Sequence, residues 1–153
     1  FLLKEPQLAT LARWLMQQVQ SLNERFNWQE LSLVCMSDEQ IRALNHEYFQ
    51  RDNTTDVISF AYPPVPGTEF DSGEVFVNIQ QAWHEGRERK GGDFELAFYL
   101  AHGCHHLCGA RDDSPGEKAA MLATAEAWLA QPEAQALVPG LFHAQPEAGA
   151  TRA

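Results

Sequence analysis

Long apolar runs are missing from this sequence. No stretch approaches the roughly 18–20 residues that a bilayer-spanning helix needs, so no membrane partner is expected. Basic residues are scarce: 11 Lys and Arg stand against 21 Asp and Glu, a formal net charge of −10. That balance disfavours a nucleic-acid partner held mainly through phosphates, although a local basic groove stays open because a sum says nothing about distribution. Cysteine is sparse and odd in number, three in all, without disulfide-scaffold spacing, so a reducing cytoplasm is the expected compartment. The opening residues FLLKEPQLAT carry neither a basic n-region nor a small-residue cleavage site, and no secretory leader is expected. Internal repeats are absent. What is present is ordinary for a globular chain, 44% hydrophobic and 21% charged over 153 residues. That length supports one domain with a sizeable core and is short for two.

Residues 6–22 place Leu8, Leu11, Leu15, Val19 and Leu22 at helical spacing, predicting an amphipathic helix. ELSLVCM (30–36) predicts a strand. Ser37 and Gln40 form a capping box ahead of a helix with Ile41, Leu44 and Tyr48 on one stripe. DVISFAY (56–62) and GEVFVNI (73–79) predict two more strands, separated by a Pro-rich loop. A helix is expected from 80 to 90, ended by Gly91-Gly92. A second, capped by Asp93 and ended by Gly109, is apolar nearly all round and therefore central and buried. SPGEKAAMLATAEAWLA (114–130) predicts a helix capped by Ser114 with Pro115 in its first turn. The order predicts an α+β domain over 1–131, with a small mixed β-sheet packed on helices around that central helix. The Ala- and Pro-rich segment 132–153 has no sustained period and is expected to be a mobile tail.

The chemistry-bearing stretch is YLAHGCHHLCGARDD, 99–113. His102 and His106 are four apart, one turn above each other on one helix face, about 5–6 Å between Cβ atoms. Gly109 falls near the same face and lets the chain turn back towards Asp112. The pattern His-x3-His-x2-Gly-x2-Asp places two ligands on a helix and a third beyond a glycine turn, leaving a position open as in catalytic rather than structural zinc sites. The metzincin peptidases share that frame with His as the third ligand. Against this stands the plainer reading that a histidine pair on an apolar helix is satisfied core. Cys104 and Cys108 point to the opposite face and read as small core residues. His105 lies to the side, exposed, substrate-facing or behind the ligands. The general-base Glu of HExxH peptidases is here Gly103, so peptide hydrolysis is disfavoured.

These residues resemble the YbeY family of bacterial metal-dependent endoribonucleases. That family's signature, His-Gly-x-Leu-His-Leu-x-Gly-Tyr-Asp-His, is matched by HGCHHLCGARD at 102–112. Met121 and Glu126 stand where the family tends to place Met and Glu, TTDVISF is similar to its Thr-Asp-Val-Leu-Ser-Phe, and GEVFVN to its Gly-Asp-Ile strand. The likeness runs from about Leu44 to Leu129. It implies a cytoplasmic, single-strand-directed endoribonuclease acting in 3′-end maturation of small-subunit ribosomal RNA and in ribosome quality control. Its cofactor would be one divalent ion, zinc first, held by His102, His106 and Asp112, and its partners RNA and the small ribosomal subunit.

The departures are specific. Asp112 stands for the third His, a legitimate zinc ligand whose charge weakens the ion as a Lewis acid and favours harder metals. Ala110-Arg111 replaces Tyr-Asp, Ala61 replaces a Pro, and Phe49 follows Tyr48 where the family usually shows an RNA-holding Arg. Arg51 is the candidate to take that place, with Arg111 and His105 as further substrate contacts. Arg87, Arg89 and Lys90 read first as a solvated helix end, and Phe60 and Tyr62 read first as strand core and second as base-stacking residues. Two alternatives stay open: another zinc-dependent hydrolase on the same scaffold, and a non-catalytic ribosome-assembly factor.

Overall fold

A helix with apolar residues all round must be covered on every side, and the fold is organised around that requirement. In the computed structural model, which describes residues 2–143, the chain runs β1 (Leu2–Leu3), α1 (Glu5–Leu22), β2 (Trp28–Met36), α2 (Asp38–Phe49), β3 (Val57–Tyr62), β4 (Asp71–Asn78), α3 (Ile79–Gly86), α4 (Gly92–Leu107), α5 (Pro115–Leu129), α6 (Pro132–Leu137) and β5 (Phe142–His143). This is an α+β fold. The central helix is α4, whose Leu96, Ala97, Leu100, Ala101 and Cys104 are fully buried.

The sheet has the order β2-β4-β3, with β2 parallel and β3 antiparallel to the middle strand. Alternation on β4 sorts its side chains: Gly73, Val75 and Val77 are buried, while Ser72, Glu74 and Phe76 between them are half-buried on the other face. The buried face meets α4 at very short range. A methyl group on Gly103 would come within 2.7 Å of Val57 and 2.9 Å of Val75, and one on Gly73 within 3.0 Å of Leu107. Ser59 Oγ donates to the Gly103 carbonyl at 2.8 Å, tying β3 to the middle of the helix.

On α1 the buried set contains Leu8, Leu11, Leu15 and Val19, as its period predicts, but Leu22 at its last position is exposed because the apolar stripe outruns the elements it packs on. Tyr48 differs from the rest of its predicted stripe: Ile41 is buried, while Tyr48 is largely exposed with one side of its ring against Phe60. The Ser37–Gln40 capping box and the Ser114 cap are present as expected. α3 ends at Gly86, earlier than predicted. A methyl group there would lie 2.6 Å from the backbone of Gly91 and Gly92, so the turn into α4 closes on bare backbone.

Two expectations are corrected. Asp93 does not cap α4, which starts at Gly91 without a side-chain cap. Its carboxylate instead accepts from the amides of Gly140 at 2.7 Å and Phe142 at 2.8 Å. The segment after Gln131 is not a loose tail as far as His143: α6 buries Ala134, and Val138, Leu141 and Phe142 are in the core. β5 pairs with β1, and Gln7 donates to the carbonyls of Leu137 and Pro139. Each piece is too short to show a period, and its partners lie far away in sequence. The rest of the predicted tail, 144–153, lies outside the described residues. No helix among the described residues is long and apolar enough to cross a membrane.

Candidate metal centre

Gly103 fixes the roll of α4 by lying flat on the sheet, and this turns the neighbouring His102 and His106 away from the packed face. Their rings stand nearly perpendicular, centroids 4.5 Å apart, with the two Nε2 atoms 3.0 Å from each other. Beyond the helix, Gly109 takes φ +89°, a left-handed conformation open to glycine. Its amide donates to the His106 carbonyl at 3.0 Å. The reversal brings Asp112 back over the helix end, its Oδ2 3.4 Å from His102 Nε2 and 3.5 Å from His106 Nε2. The three ligand atoms converge within 4.8 Å of one another.

These distances suit a metal ion. Tetrahedral bonds of about 2.0–2.2 Å to nitrogen and oxygen set neighbouring ligand atoms roughly 3.3–3.5 Å apart, close to the observed triangle. The outer contact suits it too. His106 Nδ1 lies 2.9 Å from the Ala110 carbonyl; with its proton donated there, Nε2 keeps the lone pair for the ion, the usual support for a ligating histidine. His102 Nδ1 is buried with no hydrogen-bond partner. Burial pushes the His102 pKa down, the His106 charge adds to this, and Asp56 and Asp112 oppose it; the net direction favours the neutral, metal-binding form. Side-chain exposures of 12% for His102, 28% for His106 and 35% for Asp112 leave the trio reachable from solvent.

The other predicted site residues are not gathered with these three. His105 turns towards α5, its ring 5.1 Å from that of Trp128, and burial lowers its pKa. Arg111 is exposed and pairs with Asp113 at 2.6 Å. Arg51 is exposed in the loop after α2, and its guanidinium makes no ion pair among the described residues. Arg89 pairs with Glu85 and the buried Glu95, Arg87 contacts His84, and Lys90 lies over the Phe94 ring, so this cluster serves the α3–α4 corner. Cys104 is fully buried, its thiol pushed up to about 12 by desolvation, and Cys108 donates to the His105 carbonyl; neither joins the trio. Two residues near the centre were missed as site residues. Asp56, whose carboxylate accepts from the Val57 amide at 2.8 Å, puts negative charge near His102, and Ser59 holds the helix. Both lie in the TTDVISF motif, the signal that could have found them.

A family model described as "Endoribonuclease YbeY" matches residues 2–133. Curated proteins of that name are similar to this chain: one from Anaeromyxobacter dehalogenans is 41% identical over 106 residues, 68% of this chain and 54% of that protein. One from Flavobacterium johnsoniae is 33% identical over 102 residues, 63% of this chain and 68% of that protein. The matched part spans about half the length of the Anaeromyxobacter relative. Among solved structures, the solution structure of TM1509 from Thermotoga maritima is similar in fold, with a TM-score of 0.55 at 20% identity, covering 95% of this chain and 93% of that one.

Proposed function

The chain belongs to the YbeY endoribonuclease family, and on that premise we propose that it is a metal-dependent endoribonuclease cutting single-stranded RNA. Its substrate would be the 3′ end of 16S ribosomal RNA, its setting ribosome quality control in the cytoplasm, and its partner the small ribosomal subunit. One observation carries the reading: in a chain of this family, two imidazole nitrogens and one carboxylate oxygen point at a common position, with separations of 3.0, 3.4 and 3.5 Å.

His102, His106 and Asp112 would hold a divalent ion, zinc first. Bound there, such an ion supplies Lewis acidity towards a phosphoryl oxygen or a water molecule. The protein's share is to favour the neutral His102 imidazole by burial, to orient His106 through the Ala110 carbonyl, and to bring the Asp112 charge over the helix end. Gly103 leaves no room beside His102 for the carboxylate that peptidases use as base, so the frame suits phosphodiester chemistry better than peptide hydrolysis. Arg51, exposed and in no ion pair among the described residues, is a cation open to a substrate phosphate. Arg111, paired with Asp113, is a weaker candidate, and His105, held against Trp128, would back the helix rather than touch substrate.

The test is cleavage of single-stranded and structured RNA by the metal-loaded protein, with metal content measured on the same sample. Cleavage lost in His102→Ala and in Asp112→Ala, with folding intact, supports the proposal. Metal bound while RNA stays whole would reject it in favour of another hydrolase on this scaffold. That second reading draws on the net charge of −10 and on the cations already paired with carboxylates. Co-sedimentation with small ribosomal subunits without cleavage would instead favour an assembly factor.

A further inference from the structure

The sheet face turned away from α4 carries rings that the fold does not finish covering. Tyr48 is 55% exposed, Phe49 47% and Tyr62 44%, and the first two meet the half-buried Phe60. Phe49 lies parallel to Phe60, centroids 6.0 Å apart with 4° between planes. Tyr48 is tilted against Phe60 at 5.2 Å, and Phe60 rests edge-on against Phe76 at 5.8 Å. Four rings thus form one connected group, backed by the sheet and open on its outer side. Exposed apolar clusters of this kind mark binding surfaces, and flat rings backed by a strand favour a flat occupant.

The group's position favours RNA. Phe60 and Ser59 are neighbours on β3, the outermost strand of the sheet on that side. Ser59 faces α4 and holds the Gly103 carbonyl, while Phe60 faces the opposite way into the ring group. A strand of RNA crossing the free edge of β3 would therefore reach from the metal centre to the rings within a few nucleotides. Charge narrows the mode of binding. Arg42 pairs with Asp52, Arg89 with Glu85 and Glu95, and Arg111 with Asp113. With these cations paired and a net charge of −10, counterion release offers this chain less than it offers basic RNA binders. Stacking needs no net charge, because every base has a π-face. Two residues past Phe49 in the chain comes Arg51, exposed and free of ion pairs among the described residues.

We propose that Tyr48 and Phe49, seated on Phe60, form a platform on which unpaired bases stack, so that this protein grips its RNA by base stacking more than by phosphate contacts. The proposal rests on the RNA reading above and adds the residues that would hold the strand beside the cut.

The test uses the whole chain with two single-stranded probes of equal length: 2′-O-methyl oligoadenylate, and the same phosphodiester backbone without bases. Oligoadenylate is expected to bind about tenfold tighter or more than the abasic strand, from the usual contribution of one or two stacked bases, and with a shallow salt dependence. Phe49→Leu and Tyr48→Leu keep apolar bulk without a ring, and each should weaken oligoadenylate binding about tenfold while leaving the abasic strand unchanged. Phe49→Trp should retain affinity, and its fluorescence should fall when oligoadenylate is added. Equal binding of both probes, or leucine variants that bind like the parent, would overturn the platform while leaving the endoribonuclease reading intact. A parent protein that binds neither probe and cleaves no RNA overturns both. Leucine variants that alter only the sedimentation of the protein would make the patch a protein–protein interface and sink the proposal.

Discussion

The two faces of the three-stranded sheet are built on opposite terms. The face towards α4 has no slack: Val57, Val75 and Ser59 press so closely on Gly103 that even a methyl group lacks room. The outer face leaves Tyr48, Phe49 and Tyr62 half in water. The packed face sets where two imidazoles point. The outer face is closed by α2 over Ile41 and Ile58, but the rings at its margin are only partly covered and are free to meet a ligand. Substitutions on the first face should therefore register as stability, and substitutions of those rings as binding.

The sharpest way to break this contrast is Gly103→Val. Overfilling a jammed contact should cost about 3 kcal/mol, read as a fall of about 10 °C in melting temperature for a domain of this size; a fall under a few degrees would mean the face has hidden slack. His102→Ala comes next. Zinc at a hundred times its dissociation constant should stabilise the parent by about 2.7 kcal/mol, and this variant should show no melting shift on adding zinc. Ser59→Ala removes one hydrogen bond from strand to helix, an expected loss of about 1 kcal/mol in denaturant unfolding. Phe49→Leu should change stability by less than about 0.5 kcal/mol, as surface substitutions do. A large loss there would mean the rings are core and the contrast is false.

Local signals were readable from the sequence. Spacing alone placed α1, α5 and the three sheet strands, because each has a period, a cap or a turn residue of its own. The convergence of His102, His106 and Asp112 was readable for the same reason: the two histidines are set by helix geometry, and Gly109 announces the reversal that brings Asp112 back. Long-range partnerships were not readable. Nothing near Asp93 in sequence says that its carboxylate will hold the amides of Gly140 and Phe142. The stretch 132–143, broken by Pro132, Pro139 and Gly140, resembles an unstructured segment until α1 and β1 are there to receive it. Tyr48 has the helical spacing of a buried residue and still reaches water, because only one side of its ring is met, by Phe60 of β3. The run GRERKGG reads as a solvated helix end and Arg89 is largely exposed, but nothing in the run shows that its guanidinium will pair with the buried Glu95.

The corner between α3 and α4 has a consequence for the far end of the central helix. Gly86 touches the backbone of Gly91 and Gly92 with no side chain between, so α4 takes its direction from that contact. The helix has 16 residues and is about 24 Å long. It is clamped a second time at Gly103, against Val57 and Val75, so a methyl group forced in at Gly86 would set the two clamps against each other, and any tilt about the second would fall on His102 and His106 beside it. A methyl group on a glycine remote from the two imidazoles can thus misalign them without touching either.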